Sequence, residues 1–213
     1  MQTATHIDIM TRIQRMLVLA TAFAAGALTH AQERLSAEQA SQYAAAVGDV
    51  QAQVKSGPLA TEADLKKPVA LRDGEYGIMV LPDRRLSAEK LAPVGTEVVP
   101  VGQLWFHKLA PLVDGRVVGN DKLRLVRVSG PDGEATVPCF ALGVRKPATG
   151  GLELVVYGKD KEPVMQAPLK AITAKQENPV EISAERDSDS GRVTVKILGQ
   201  QEAVLTVTDP ELY

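Results

Sequence analysis

The sequence predicts a mainly β protein, an antiparallel β-sandwich or irregular barrel, preceded by an N-terminal signal segment and one amphipathic α-helix. Three observations carry this. Apolar runs of roughly four to ten residues recur from Tyr76 onward, separated by Gly, Pro, Asn and Asp. In the last of these runs, apolar and polar residues alternate with a period of two. Only the stretch after Ser36 shows helical spacing over several turns.

The chain opens with an apolar run, MLVLATAFAAGAL, of about 13 residues, behind Arg12 and Arg15. That length suits the apolar part of a secretory signal and falls short of the roughly 20 residues needed to span a bilayer. Thr29-His30-Ala31 offers a cleavage site before Gln32, and Ala25-Gly26-Ala27 offers a second. A buried N-terminal helix would carry a polar stripe that this run lacks, and an uncleaved anchor is the remaining alternative. The division expected is a signal peptide over 1–31, an amphipathic helix within 32–57 and a single β-rich domain over 58–213.

Ser36 can cap a helix, and Gln39 three residues later completes the capping-box pattern. Tyr43, Val47, Val50 and Val54 then form one narrow apolar stripe, and Gly57-Pro58 supplies the stop. The stripe is expected to pack on its own domain, with pairing to a second copy as the alternative. The string RLSAE occurs at 34–38 and again at 85–89. Their downstream residues differ, so the shared five reflect a common helix start, and a short helix is expected over 88–92, ended by Pro93 and Gly95.

Strands are expected over 76–81, 96–101, 103–109, 122–128, 134–144, 152–157, 164–173, 180–185, 192–198 and 203–208. Turn signals fall at Asp114-Gly115, Gly119-Asn120, Pro131-Asp132-Gly133, Thr149-Gly150-Gly151 and Asp189-Ser190-Gly191. Val180, Ile182 and Ala184 share one face while Glu181, Ser183 and Glu185 share the other, which predicts antiparallel sheet with one face wet. Prolines at 100, 138, 163, 168 and 179 predict edges or bulges.

Composition excludes several kinds of chemistry. The chain holds 24 Lys and Arg against 26 Asp and Glu, without a basic cluster of the kind that neutralises several phosphates, so no nucleic-acid partner is expected. The closest approach to such a cluster is Asp83-Arg84-Arg85, where the arginines read as lying on a solvated turn. Cys139 is the single cysteine, so no intrachain disulfide can form, and its apolar neighbours predict a buried thiol. After cleavage His107 is the only histidine left, which removes a multi-histidine zinc site. Asp187-Ser188-Asp189-Ser190-Gly191 has the alternating oxygens of a calcium loop but returns at once to a β pattern, and reads as a polar hairpin turn. The 158–162 stretch reads as a solvated loop. No cofactor is expected.

Gln103-Leu104-Trp105-Phe106-His107 is the remaining lead. Alternation puts Gln103, Trp105 and His107 on one strand face, with the chain's only tryptophan at its centre, and these three are the candidate partner-binding residues. A tryptophan spent in the core is the competing reading. The function expected is an exported, non-catalytic binding or structural module of the cell envelope or outside the cell. A protein partner or self-association is expected, a glycan is possible, and no stable membrane span remains after cleavage. An envelope polysaccharide hydrolase using paired carboxylates and a small-ligand carrier with a closed barrel are the alternatives.

Overall fold

A computed structural model describes residues 32–54, 57–148 and 150–212. The expected signal segment, 1–31, lies outside the described residues. The chain begins with a two-residue strand β1 (Glu33–Arg34), then helices α1 (Ala37–Gly48) and α2 (Gln51–Val54). Ser36 caps α1 with the complete capping box: its hydroxyl accepts from the Gln39 amide, and the Gln39 side chain accepts from the Ser36 amide. The single helix expected from the stripe is broken at Asp49 and Val50. A Cβ on Gly48 would stand 2.9 Å from Leu65 Cδ1, so the chain turns there with glycine, and both pieces keep their valines inward.

The first sheet contains β2 (Val69–Asp73), β3 (Tyr76–Pro82), β4 (Val99–His107), β7 (Arg124–Gly130), β8 (Gly133–Arg145), β9 (Glu153–Tyr157) and β10 (Pro163–Pro168). Its order is β1-β2-β3-β4-β8-β9-β10, antiparallel throughout, with β7 also on β8. Cys139 of β8 is opposite both Trp105 of β4 and Arg124 of β7, so β7 and β9 share one edge of β8. The second sheet contains β5 (Ala110–Val113), β6 (Arg116–Val117), β11 (Lys170–Ala171), β12 (Val180–Asp187), β13 (Ser190–Ile197) and β14 (Gln201–Thr208), in the order β12-β13-β14-β5-β6 with β11 on β14. The short helix α3 (Ala88–Leu91) is capped by Ser87.

The two sheets pack face to face as a sandwich. Phe106 and Phe140 meet at 5.3 Å between ring centroids in the layer between them, with Leu104, Leu142, Val193, Val195 and Ile197 fully or almost fully buried around the pair. Side chains fill this layer and the sheets do not close into a barrel, so the interior that a barrel-type carrier would use is occupied.

The outer face of the first sheet is not wet. Ala40, Ala44, Val47 and Val54 of the two helices, with Val50 between them, bury Ala70, Met79, Leu81, Trp105, Val126, Val137 and Cys139. The chain is therefore three layers: helices, first sheet, second sheet. Alternation of wet and dry faces is plain where the sequence shows it, in the second sheet, where Val180, Ile182, Val193, Val195 and Ile197 point inward.

Two runs expected as separate strands, 96–101 and 103–109, are one strand, β4, with a bulge between Pro100 and Gly102. Proline cannot donate to the ladder, and Gly102 passes so close to β3 that a Cβ there would lie 2.3 Å from the Leu81 carbonyl oxygen. The bulge lets one strand continue past the proline and carry Gln103, Trp105 and His107 under the helices.

Candidate functional site

On β4, Gln103, Trp105 and His107 do share a face, and that face is roofed by α1 and α2. Gln103 is fully buried and Trp105 is 3% exposed. The Gln103 amide is the hub of a network. Its Nε2 donates to Gln51 Oε1 at 2.9 Å and to Thr61 Oγ1 at 2.9 Å, while its Oε1 accepts from Gln51 Nε2 at 3.1 Å and from the Trp105 indole N–H at 3.2 Å. Two reciprocal amides thus tie α2 to the sheet, and the indole is satisfied from within. Gln103 and Trp105 do not form a flat exposed patch; they belong to the helix–sheet layer.

Beside them the layer opens. A cavity of about 190 Å³ lies between α1, the β2–β3 hairpin, β4 and the β7–β8 hairpin. Trp105, Met79, Val47 and Val137 line its apolar interior, and Tyr43, Arg72, Asp132, Glu75 and His107 stand around it. His107 is half-buried, and burial together with the neighbouring Lys108 holds its imidazole below the ordinary histidine value, which favours the neutral ring at neutral pH. Glu75 is ion-paired with Lys108.

A polar strap joins three elements at this site. The Tyr43 hydroxyl of α1 donates to Asp132 Oδ2 at 2.6 Å, in the turn between β7 and β8. Arg72 of β2 donates from Nη1 to the same hydroxyl at 3.4 Å and stands 3.6 Å from Asp132 Oδ2, while its Nε donates to the Gly74 carbonyl. The hydrogen bond to Asp132 is the main reason the Tyr43 hydroxyl holds its proton above the usual tyrosine range, with burial adding to it. The sequence reading missed this strap. Tyr43 reads as the first member of a core stripe and Asp132 as a turn residue, and nothing local signals that two turns meet over one helix.

The other candidates resolve into structure. Cys139 is completely buried opposite Trp105, and burial drives its thiol pKa far above the ordinary value. Asp187 and Ser190 pair across the β12–β13 hairpin, so the calcium-like stretch is its two-residue turn. In Asp83-Arg84-Arg85 the two arginines do lie on an exposed turn, while the Asp83 side chain before them is fully buried and accepts from Arg85 Nη2 at 2.9 Å, Arg85 Nε at 3.0 Å, and the Glu62 and Arg85 amides at 2.8 Å each. It bonds the 57–68 segment to β3. Among the described residues no group of three or more His, Cys, Asp or Glu side chains is arranged to hold a metal ion.

Chemically, the site offers an apolar recess, one neutral imidazole, and rim charges of both signs already engaged with one another. Comparison with models of known protein families, with curated proteins and with solved structures finds no match for this chain.

Proposed function

We propose that the chain is an exported, non-catalytic binding module whose recess beneath α1 takes an apolar anchor side chain from a protein partner. The observation that carries this reading is the recess itself: an apolar space on Trp105 with a polar rim. Interface anchors are large apolar side chains seated in such pockets and ringed by groups that exclude water.

Size argues for an anchor over a whole ligand, since pockets that enclose cofactor-sized molecules run from about 300 Å³ upward. Glycan recognition is less well served, because a sugar needs several convergent hydrogen-bonding groups and the interior here is apolar. For the polysaccharide hydrolase, the rim carboxylates Glu75 and Asp132 are tied to Lys108 and to Tyr43 and Arg72, so neither is held free to act on a substrate.

Trp105 is the only tryptophan, so its emission reports directly on the recess. Filling the recess by Ala46→Phe, or by Ala135→Phe as a second variant, is expected to abolish retention of an envelope protein that the unchanged chain holds. The melting temperature should stay near that of the unchanged chain, and the retained partner should alter Trp105 emission. Equal retention by a folded, filled variant would overturn the reading, and so would turnover of a polysaccharide that is lost on Asp132→Asn.

A further inference from the structure

We propose that processing between Ala31 and Gln32 creates a structural ion pair: the new α-ammonium of Gln32 seats in a carboxylate-lined pocket closing the β1 edge of the sandwich. This rests on the export reading above and adds to it a specific cleavage position and a role for the amine that cleavage exposes.

The register of β1 places Glu33 opposite Arg72 and Arg34 opposite Leu71, and Gln32, just before the strand, lies toward Asp73. Gln32 also lines a cavity of about 40 Å³ with Asp73, Asp189 and Asp209, which is room for a group the size of water or an ammonium. Its own side-chain oxygen, Oε1, is buried there without a hydrogen-bond partner among the described residues. The pocket thus collects acceptors in excess of donors.

The charged and titratable groups lining this pocket are Asp73, Tyr76, Arg186, Asp189 and Asp209, and beside it stands Lys108, which acts on Asp209 and is ion-paired with Glu75. Asp73 of β2 is ion-paired at 3.5 Å with Arg186 of β12, and Arg186 lies 5.5 Å from the centre of the Tyr76 ring. Tyr76 of β3 donates its hydroxyl to Asp209 Oδ2 at 2.6 Å, and the Glu211 amide donates to the other oxygen of the same carboxylate at 2.9 Å. Asp189 lies in the β12–β13 turn. Three carboxylates line the pocket against the Arg186 guanidinium, and the nearby Lys108 ammonium is already offset by Glu75, so one further cation brings the pocket closer to balance. An uncut chain has an uncharged amide at that position and cannot supply it.

The covalent step is ordinary hydrolysis. One water is consumed, Ala31 leaves with the new carboxylate, and Gln32 keeps the amine, which is protonated at neutral pH. Cyclisation of Gln32 would instead expel ammonia and erase the charge.

The test uses protein purified from the envelope of cells expressing the full gene. Intact mass should give a chain beginning at Gln32 with no loss of ammonia. Acylation of the α-amine at neutral pH should then be about tenfold slower than in Asp73→Asn or Asp209→Asn, because a one-unit rise in the amine pKa leaves a tenth as much free base. A start at another residue, a cyclised Gln32, or acylation equally fast in all three proteins would overturn the proposal while leaving export standing. Retention of residues 1–31 would overturn the export reading as well, and the mass distinguishes the two failures.

Discussion

Asp83 shows how one side chain can fix a long irregular segment. Its carboxylate is buried, which by itself raises the pKa, but the Arg85 guanidinium and the backbone amides of Glu62 and Arg85 more than compensate and hold it below the ordinary aspartate value. A carboxyl whose folded value is depressed contributes its stability above the unfolded value, near 3.9, and that contribution is lost as pH falls through the folded value. Asp83→Asn keeps the size and removes the charge. It is expected to cost about 2 kcal/mol at pH 7, at the low end for a buried charged network because Arg85 is itself partly exposed. Urea melts of both proteins at pH 7, 5, 4 and 3 should show the gap shrinking below about pH 4. A constant gap would mean that the charge is not what Asp83 contributes. The sequence places Arg84 and Arg85 in a turn correctly, but burial of the carboxylate before them depends on a segment some twenty residues away, which no local pattern encodes.

At the scale of elements, legibility followed the locality of the physics. The capping box of α1 needs only Ser36 and Gln39, and the β12–β13 hairpin needs only its own alternation and a two-residue turn, so both can be read directly. Strand β2 escaped the reading because only its first three residues, Val69, Ala70 and Leu71, are buried, on both faces, and the short run VALRD carries no alternation. Pro100 does mark a bulge, as its position predicts, but the continuity of β4 escaped the reading because Pro100 and Gly102 look like a break, whereas the strand continues past the bulge. Alternation on β4 correctly groups Gln103, Trp105 and His107, yet it cannot say whether that face meets water or a helix. The helix that settles the matter depends in turn on its cap. Ser36→Ala removes the hydroxyl that accepts from the Gln39 amide and is expected to cost about 1 kcal/mol in a urea melt. Restoring the cap with Ser36→Asp should recover most of it, and no loss in Ser36→Ala would show that tertiary packing alone holds the start of α1.

For the whole molecule, three layers mean two separate interfaces, and they need not open together. The inter-sheet layer is large and wholly apolar, whereas the helix layer is small, rich in alanine and pinned by the Gln51–Gln103 amide pair. Sub-global opening draws on the weaker interface. Cys139 reports which one opens, because its thiol lies in the helix layer, is completely buried, and reacts only when α1 and α2 lift away. Gln103→Leu strands the Trp105 indole, Gln51 and Thr61 without their shared partner, at about 1–3 kcal/mol for the groups left unsatisfied. Each 1.4 kcal/mol is a factor of ten in the opening equilibrium, so Cys139 should react with a thiol reagent about ten to a hundred times faster in that variant under native conditions. Ile197→Val trims the other layer and is expected to lower global stability by about 1 kcal/mol. If the helix layer lifts on its own, that change leaves the labelling rate where it was. Equal acceleration by both substitutions would instead mean that the two interfaces break in a single cooperative event, and that the recess beneath α1 opens only when the whole chain unfolds.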